Sequence, residues 1–88
     1  MKLKKGFITY ETDGEHYTVA AGEQAEIFHG LIRSNETAAA IINQLKKETT
    51  IDKITDALCK LYDAPREVIK NDVSEIIMQL RAIGALDE

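Results

Sequence analysis

Phe7-Ile8-Thr9-Tyr10-Glu11-Thr12-Asp13-Gly14-Glu15-His16-Tyr17-Thr18-Val19 decides the fold. Two runs rich in β-formers flank Asp13-Gly14. Asp and Gly tolerate positive φ, and a two-residue type I′ loop needs it at both central positions. The turn then fixes the register. Thr12 faces Glu15, Glu11 faces His16, Tyr10 faces Tyr17 and Ile8 faces Val19. Ile8, Tyr10, Tyr17 and Val19 share one face of the hairpin, and Thr9, Glu11, His16 and Thr18 share the other. Ala21-Gly22 breaks the second strand. A third extended stretch is expected from Gln24 to Arg33, where Ile27, Phe28, Leu31 and Ile32 do not fall on one face. Gly30 stands between the two pairs, at a bulge or kink that exchanges the faces.

The remainder reads as helix. Ser34-Asn35 caps a first helix from Glu36 to about Lys47, with Ala38, Ile41, Ile42 and Leu45 on one side. Glu36 in its first turn and Lys46 and Lys47 in its last complement the helix dipole. Thr49-Thr50 caps a second helix that runs to about Tyr62, with Ile51, Ile54, Leu58 and Leu61 inward. Asp63-Ala64-Pro65 ends it and starts a third, with Pro65 at the first helical position. That helix extends to Ile83 and carries Ile69, Val73, Ile76, Leu80 and Ile83 as its apolar stripe. Gly84 is the C′ residue, and Ala85-Leu86 folds back onto the core. The expected fold is α+β and winged helix-turn-helix-like: a three-stranded antiparallel sheet followed by three helices, in a single domain over residues 1–88.

Composition narrows the function. With 88 residues, 44% hydrophobic and 30% charged, the chain has the balance of one soluble globular domain. No apolar run approaches the roughly 20 residues that span a bilayer. The basic start, Met1 to Lys5, precedes a stretch too short and too polar for a signal peptide, so a cytoplasmic protein without a membrane partner is expected. Cys59 is the only cysteine, and with His16 and His29 it makes no zinc motif. The net charge is −4. Residues 11–33 carry Glu11, Asp13, Glu15, Glu23 and Glu26 against Arg33. In the third helix Arg66, Lys70 and Arg81 are matched by Glu67, Asp72 and Glu75. A recognition helix brings net positive charge to phosphates, so nucleic acid is a poor partner.

Catalytic patterns are missing from the sequence. The five glycines are isolated and form no phosphate loop. Ser34 and Ser74 have no histidine at a readable spacing, and Glu11 with His16 reads as a surface ion pair across the hairpin. Cys59 lies at the flank of a core face. No catalytic, metal or cofactor residues are assigned, and no enzyme activity is expected. The third strand is the informative feature: an apolar sheet edge (Ile27, Phe28, Leu31, Ile32) with no proline and, from Ile27 onward, a single charge, Arg33 at its end. Such an edge is either covered, by a terminus or a second copy in a homodimer, or used to accept a peptide as an added strand.

The run Phe28-His29-Gly30-Leu31-Ile32-Arg33-Ser34-Asn35-Glu36-Thr37-Ala38 resembles the signature of the PqqD family, the coenzyme PQQ synthesis protein D-like proteins. Thr50-Ile51-Asp52-Lys53-Ile54 resembles the start of that family's second helix. Asp72-Val73 with Ile76, Ile77 and Leu80, followed by Gly84-Ala85-Leu86, resembles its third helix and its end. Ser34 replaces a usual Leu, and Ile42 stands where Trp is common. The resemblance implies a RiPP recognition element. Such a domain binds the leader segment of a ribosomally made precursor peptide and presents it to a modifying enzyme, often a radical SAM protein. It implies a leader held as a strand against Ile27, Phe28, His29, Leu31, Ile32 and Arg33, with Asp72, Ile76, Gln79 and Leu80 as candidates on the helix. A winged-helix nucleic-acid-binding protein and a structural subunit of an enzyme complex are the alternatives.

Overall fold

A computed structural model describes residues 1–21 and 31–88. β1 (Lys2–Leu3) is followed by the hairpin β2 (Phe7–Thr12) and β3 (Glu15–Ala20), then by β4 (Leu31–Ser34). Helices α1 (Glu36–Gln44), α2 (Ile51–Cys59) and α3 (Arg66–Ala82) come next, and β5 (Leu86–Asp87) closes the chain. Strands β2, β3 and β4 form an antiparallel sheet in that order. The hairpin register is the one the Asp13-Gly14 turn dictates, from Thr12 opposite Glu15 to Phe7 opposite Ala20. Asp13 has φ 52° and Gly14 φ 76°, as a type I′ loop requires. Of the expected third strand, β4 keeps Leu31 to Arg33 and adds Ser34, whereas residues 24–30 lie outside the described residues.

The sheet turns its more polar face inward. Thr18 is 2% exposed, and Thr9 and Phe7 on the same face are half-buried. Ile8 and Tyr10 on the opposite face are exposed, and the Tyr10 ring stacks on Tyr17 with centroids 5.4 Å apart. Small side chains account for this choice. Thr9 and Thr18 meet Ala39 and Ala40 of α1 across a shallow recess, where bulkier side chains would hold the sheet off the helix.

The core belongs to the helices. Ile41, Ile42 and Leu45 meet Ile54, Leu58, Ile69, Val73, Ile77 and Leu80, and all are buried. α1 starts where Asn35 accepts the Ala38 N–H at 2.7 Å, and α2 starts where Thr50 accepts the Lys53 N–H at 3.2 Å. α1 stops at Gln44, so Lys46 and Lys47 lie beyond it rather than in its last turn. α2 stops at Cys59, which puts Leu61 in the following turn and 68% exposed instead of inward. Tyr62 packs against the core, and Thr55 is fully buried with its hydroxyl donated to the Ile51 carbonyl at 2.7 Å. Pro65 is the N-cap of α3 rather than its first helical residue, so the helix starts one position later than the sequence suggests. On α3 the buried stripe is Ile69, Val73, Ile77 and Leu80; Ile76, expected within it, is only partly buried. Steps of four, four and three keep one face of a 3.6-residue helix, and Ile76 lies at the edge of that face, about 55° from its centre.

Gly84, at φ 72°, ends α3 in a Schellman motif, with Ala85 N–H on the Leu80 carbonyl and Gly84 N–H on that of Arg81. The reversal buries Ala85 and Leu86 and pairs β5 with β1, Leu3 opposite Leu86. The same N-terminal segment reaches α1, since Leu3 N–H donates to the Leu45 carbonyl at 2.8 Å. This two-stranded ribbon has no strong signal in the sequence, because each strand is two residues long.

Candidate functional site

Among the described residues β4 is an outer strand of its sheet, joined to β3 on one side. The ladder decides which backbone groups it offers. In a two-residue hairpin the residues flanking the loop exchange both hydrogen bonds, so Thr12, Tyr10 and Ile8 bond to Glu15, Tyr17 and Val19. The Ala21 N–H bond to the Gly6 carbonyl continues the same alternation. His16 and Thr18 therefore bond across to Ser34 and Ile32. The N–H and C=O groups of Leu31 and Arg33 point away from the sheet. Among the described residues no further strand pairs with them, and they are the pairing groups of an open edge.

A groove of about 530 Å³ lies beside this edge. One end of β4 supplies Arg33 and Ser34, α1 supplies a floor that includes Ala38, Ile41 and Ile42, and α3 supplies the far wall. The wall is the flank that presents Asp72, Glu75, Ile76, Gln79, Leu80 and Ile83. Ile76, displaced from the core stripe, is thereby free to face the groove, while Leu80 is 2% exposed and serves both core and groove. The structure thus brings Arg33, Asp72, Ile76, Gln79 and Leu80 of the sequence-derived residues around one cavity. Leu31 and Ile32 contribute backbone positions in β4, and Ile27, Phe28 and His29 lie outside the described residues. Glu75, Ile83 and the α1 floor were not singled out from sequence. Glu75 is legible in hindsight, since it follows Asp72 by three residues and shares its flank.

Charge divides the groove from its surroundings. Arg33 gives two hydrogen bonds to the Glu15 carboxylate, which holds its pKa above the ordinary arginine value. On α3, Arg66 pairs with Asp56 and lies 3.7 Å from Asp52, and Lys70 is 3.3 Å from Asp52. Arg81 pairs with Glu88 at 2.6 Å. Asp72 and Glu75 have no ion-pair partner among the described residues. Elsewhere, His16 Nδ1 sits 3.7 Å from Glu11 Oε2, the cross-strand pair that the register predicts. Cys59 is free and half-buried against the core. Among the described residues no helix is long and apolar enough to cross a membrane.

A small α+β domain with an open sheet edge beside a helix-walled groove has the build of a strand-accepting module. The sequence matches the coenzyme PQQ synthesis protein D (PqqD) family over residues 14–86, and the chain belongs to that family. Two solved structures share its fold. One, described as TbiB1 in complex with the TbiA(beta) leader peptide, superposes with a TM-score of 0.78 at 17% identity, covering 99% of this chain and 95% of that one. The other, a lasso peptide synthetase B1 complexed with the leader peptide, has a TM-score of 0.70 at 18% identity, over 92% of this chain and 89% of that one. No curated protein matches the sequence.

Proposed function

We propose that this chain is a non-catalytic peptide-binding adaptor. It takes the leader segment of a ribosomally made precursor peptide as an added strand on β4 and presents it to a modifying enzyme of radical SAM type in the cytoplasm. The observation that carries the reading is the open β4 edge, with Leu31 and Arg33 backbone groups outward, beside the groove walled by α3. The family and the two leader-peptide complexes of the same fold support it.

The energetics divide into two parts. Each backbone hydrogen bond to the edge contributes roughly 0.5–1.5 kcal/mol net and is indifferent to sequence. Ordering a flexible peptide opposes this by several kcal/mol. Selectivity and the remaining affinity must then come from side chains buried against the groove wall at about 25 cal/mol per Å². Ile76 and Leu80 supply that surface here. Ile27, Phe28 and His29 are further proposed contacts, carried by the family resemblance.

A pull-down of the chain, read by mass spectrometry, should recover a short precursor peptide. Titrating its leader segment into the labelled protein should then shift the amides of β4 and α3. Ile76→Asp should weaken that leader at least about tenfold, or about 1.4 kcal/mol, with the circular dichroism spectrum kept. Shifts confined to β2 and β3, or no shifts, would overturn the proposal.

A further inference from the structure

The charges around the groove say more about the peptide than its walls do. Every cation of α3 is engaged away from the cavity: Arg66 and Lys70 with Asp52 and Asp56 of α2, and Arg81 with Glu88. Arg33, the cation on the strand side, is already bound by Glu15. The uncompensated charge of the groove is therefore that of Asp72 and Glu75, both exposed on the α3 flank beside half-buried Ile76. We infer that the groove selects a peptide strand carrying a lysine or arginine two residues from an aliphatic anchor, both side chains facing α3. This rests on the adaptor reading and names the chemistry of its ligand.

The spacing follows from element geometry. Asp72 and Ile76 are four residues apart on α3, about 6 Å along the helix axis. Alternate residues of a strand share a face and are about 6.6–6.8 Å apart. A strand laid beside the helix with an aliphatic side chain over Ile76 and Leu80 thus brings its next same-face residue level with Asp72. Glu75, one turn along, reaches the same cation. An acidic residue at that position would meet two carboxylates, and among the described residues the one cation lining the groove, Arg33, is already held by Glu15.

The experiment is a selection of mRNA-displayed random twelve-residue peptides against the 88-residue chain and two variants. Asp72→Asn/Glu75→Gln removes the groove charges. Glu11→Gln/Asp13→Asn removes the same charge from the hairpin tip, where Asn tolerates the φ of 52° at position 13. Wild type and the hairpin variant should both enrich Lys or Arg two positions from Leu, Ile or Val; the groove variant should not. By fluorescence anisotropy the best wild-type peptide should bind the groove variant at least about fivefold more weakly at low salt. The gap should shrink at about 0.5 M NaCl, where screening shortens the reach of these charges. Enrichment of neutral or acidic residues, or a basic preference lost equally in the hairpin variant, would overturn the inference. Selected peptides that shift β4 and α3 amides without a basic preference would overturn it and leave the adaptor reading standing. Selected peptides that shift neither element would overturn both.

Discussion

Asn35 is the single residue between the last residue of β4 and the first of α1, and its side chain settles the junction. Its Oδ1 accepts the Ala38 N–H at 2.7 Å, one of the four donors that a helix start leaves without partners. Asn35→Ala should cost about 1 kcal/mol in urea denaturation. This cap was legible because Ser, Thr, Asn and Asp before an apolar-periodic run have few other local uses. Ile76 and Ile77 show what was not legible. Adjacent isoleucines both fit an apolar stripe on a helix, and only the packed partners decide between them. The structure buries Ile77 completely and leaves Ile76 half-open to the groove. Ile77→Ala should therefore cost roughly 2–5 kcal/mol, whereas Ile76→Ala should cost clearly less and show its larger effect on leader affinity. Equal losses of stability in paired denaturation curves would place residue 76 in the core after all.

At the scale of elements, β4 has two unlike sides, and proline tells them apart. The Ile32 N–H faces β3 opposite Thr18, while the Arg33 N–H faces outward. Ile32→Pro removes a ladder bond and should destabilise the domain. Arg33→Pro removes an outward donor, a place where edge strands tolerate proline, and should keep the fold while weakening the leader. Arg33→Ala controls for the lost Glu15 pair. Leader affinity equal in Arg33→Pro and Arg33→Ala would show that the outer edge takes no strand. The C-terminal ribbon has its own signature, in acid. Arg81 holds the Glu88 carboxyl below the ordinary carboxylate range. Its contribution is complete above the unfolded-state pKa and is lost as pH falls through the lower folded value. The stability gap between wild type and Glu88→Gln should close on acidification; an unchanging gap would sink the assignment. The hairpin, the three helices and the Gly84 stop were readable because each has a local signal: a turn dipeptide, a cap, a period. The β1–β5 ribbon was not, since a two-residue strand has no period and its pairing joins opposite ends of the sequence. The groove was readable in part, as an edge with an apolar strand, but the choice of α3 flank needed the helix rotation that packing sets.

Over the whole molecule, the distribution of charge separates this domain from the DNA-binding proteins whose outline it shares. The net charge is −4, and of the second and third helices, which have helix-turn-helix order, the third spends Arg66 and Lys70 on carboxylates of the second. Arg66 and Lys70 meet Asp56 and Asp52, so exchanging those contacts for phosphates would leave two carboxylates exposed at the interface. The wing is the hairpin, and its tip carries Glu11, Asp13 and Glu15 with one partner cation, Arg33, already bound. Duplex affinity at physiological salt comes largely from counterions released as cations reach the backbone. Here Arg33 beside the wing and the cations of the third helix are already engaged by carboxylates. We expect no electrophoretic shift of a random-sequence duplex at micromolar protein, and none at reduced salt. Asp52→Asn/Asp56→Asn frees Arg66 and Lys70 and serves as the sensitive control, since any latent groove-reading helix would gain affinity there first. A shift of the wild-type chain with a steep salt dependence would show that the wing and helix reach DNA in spite of their charge.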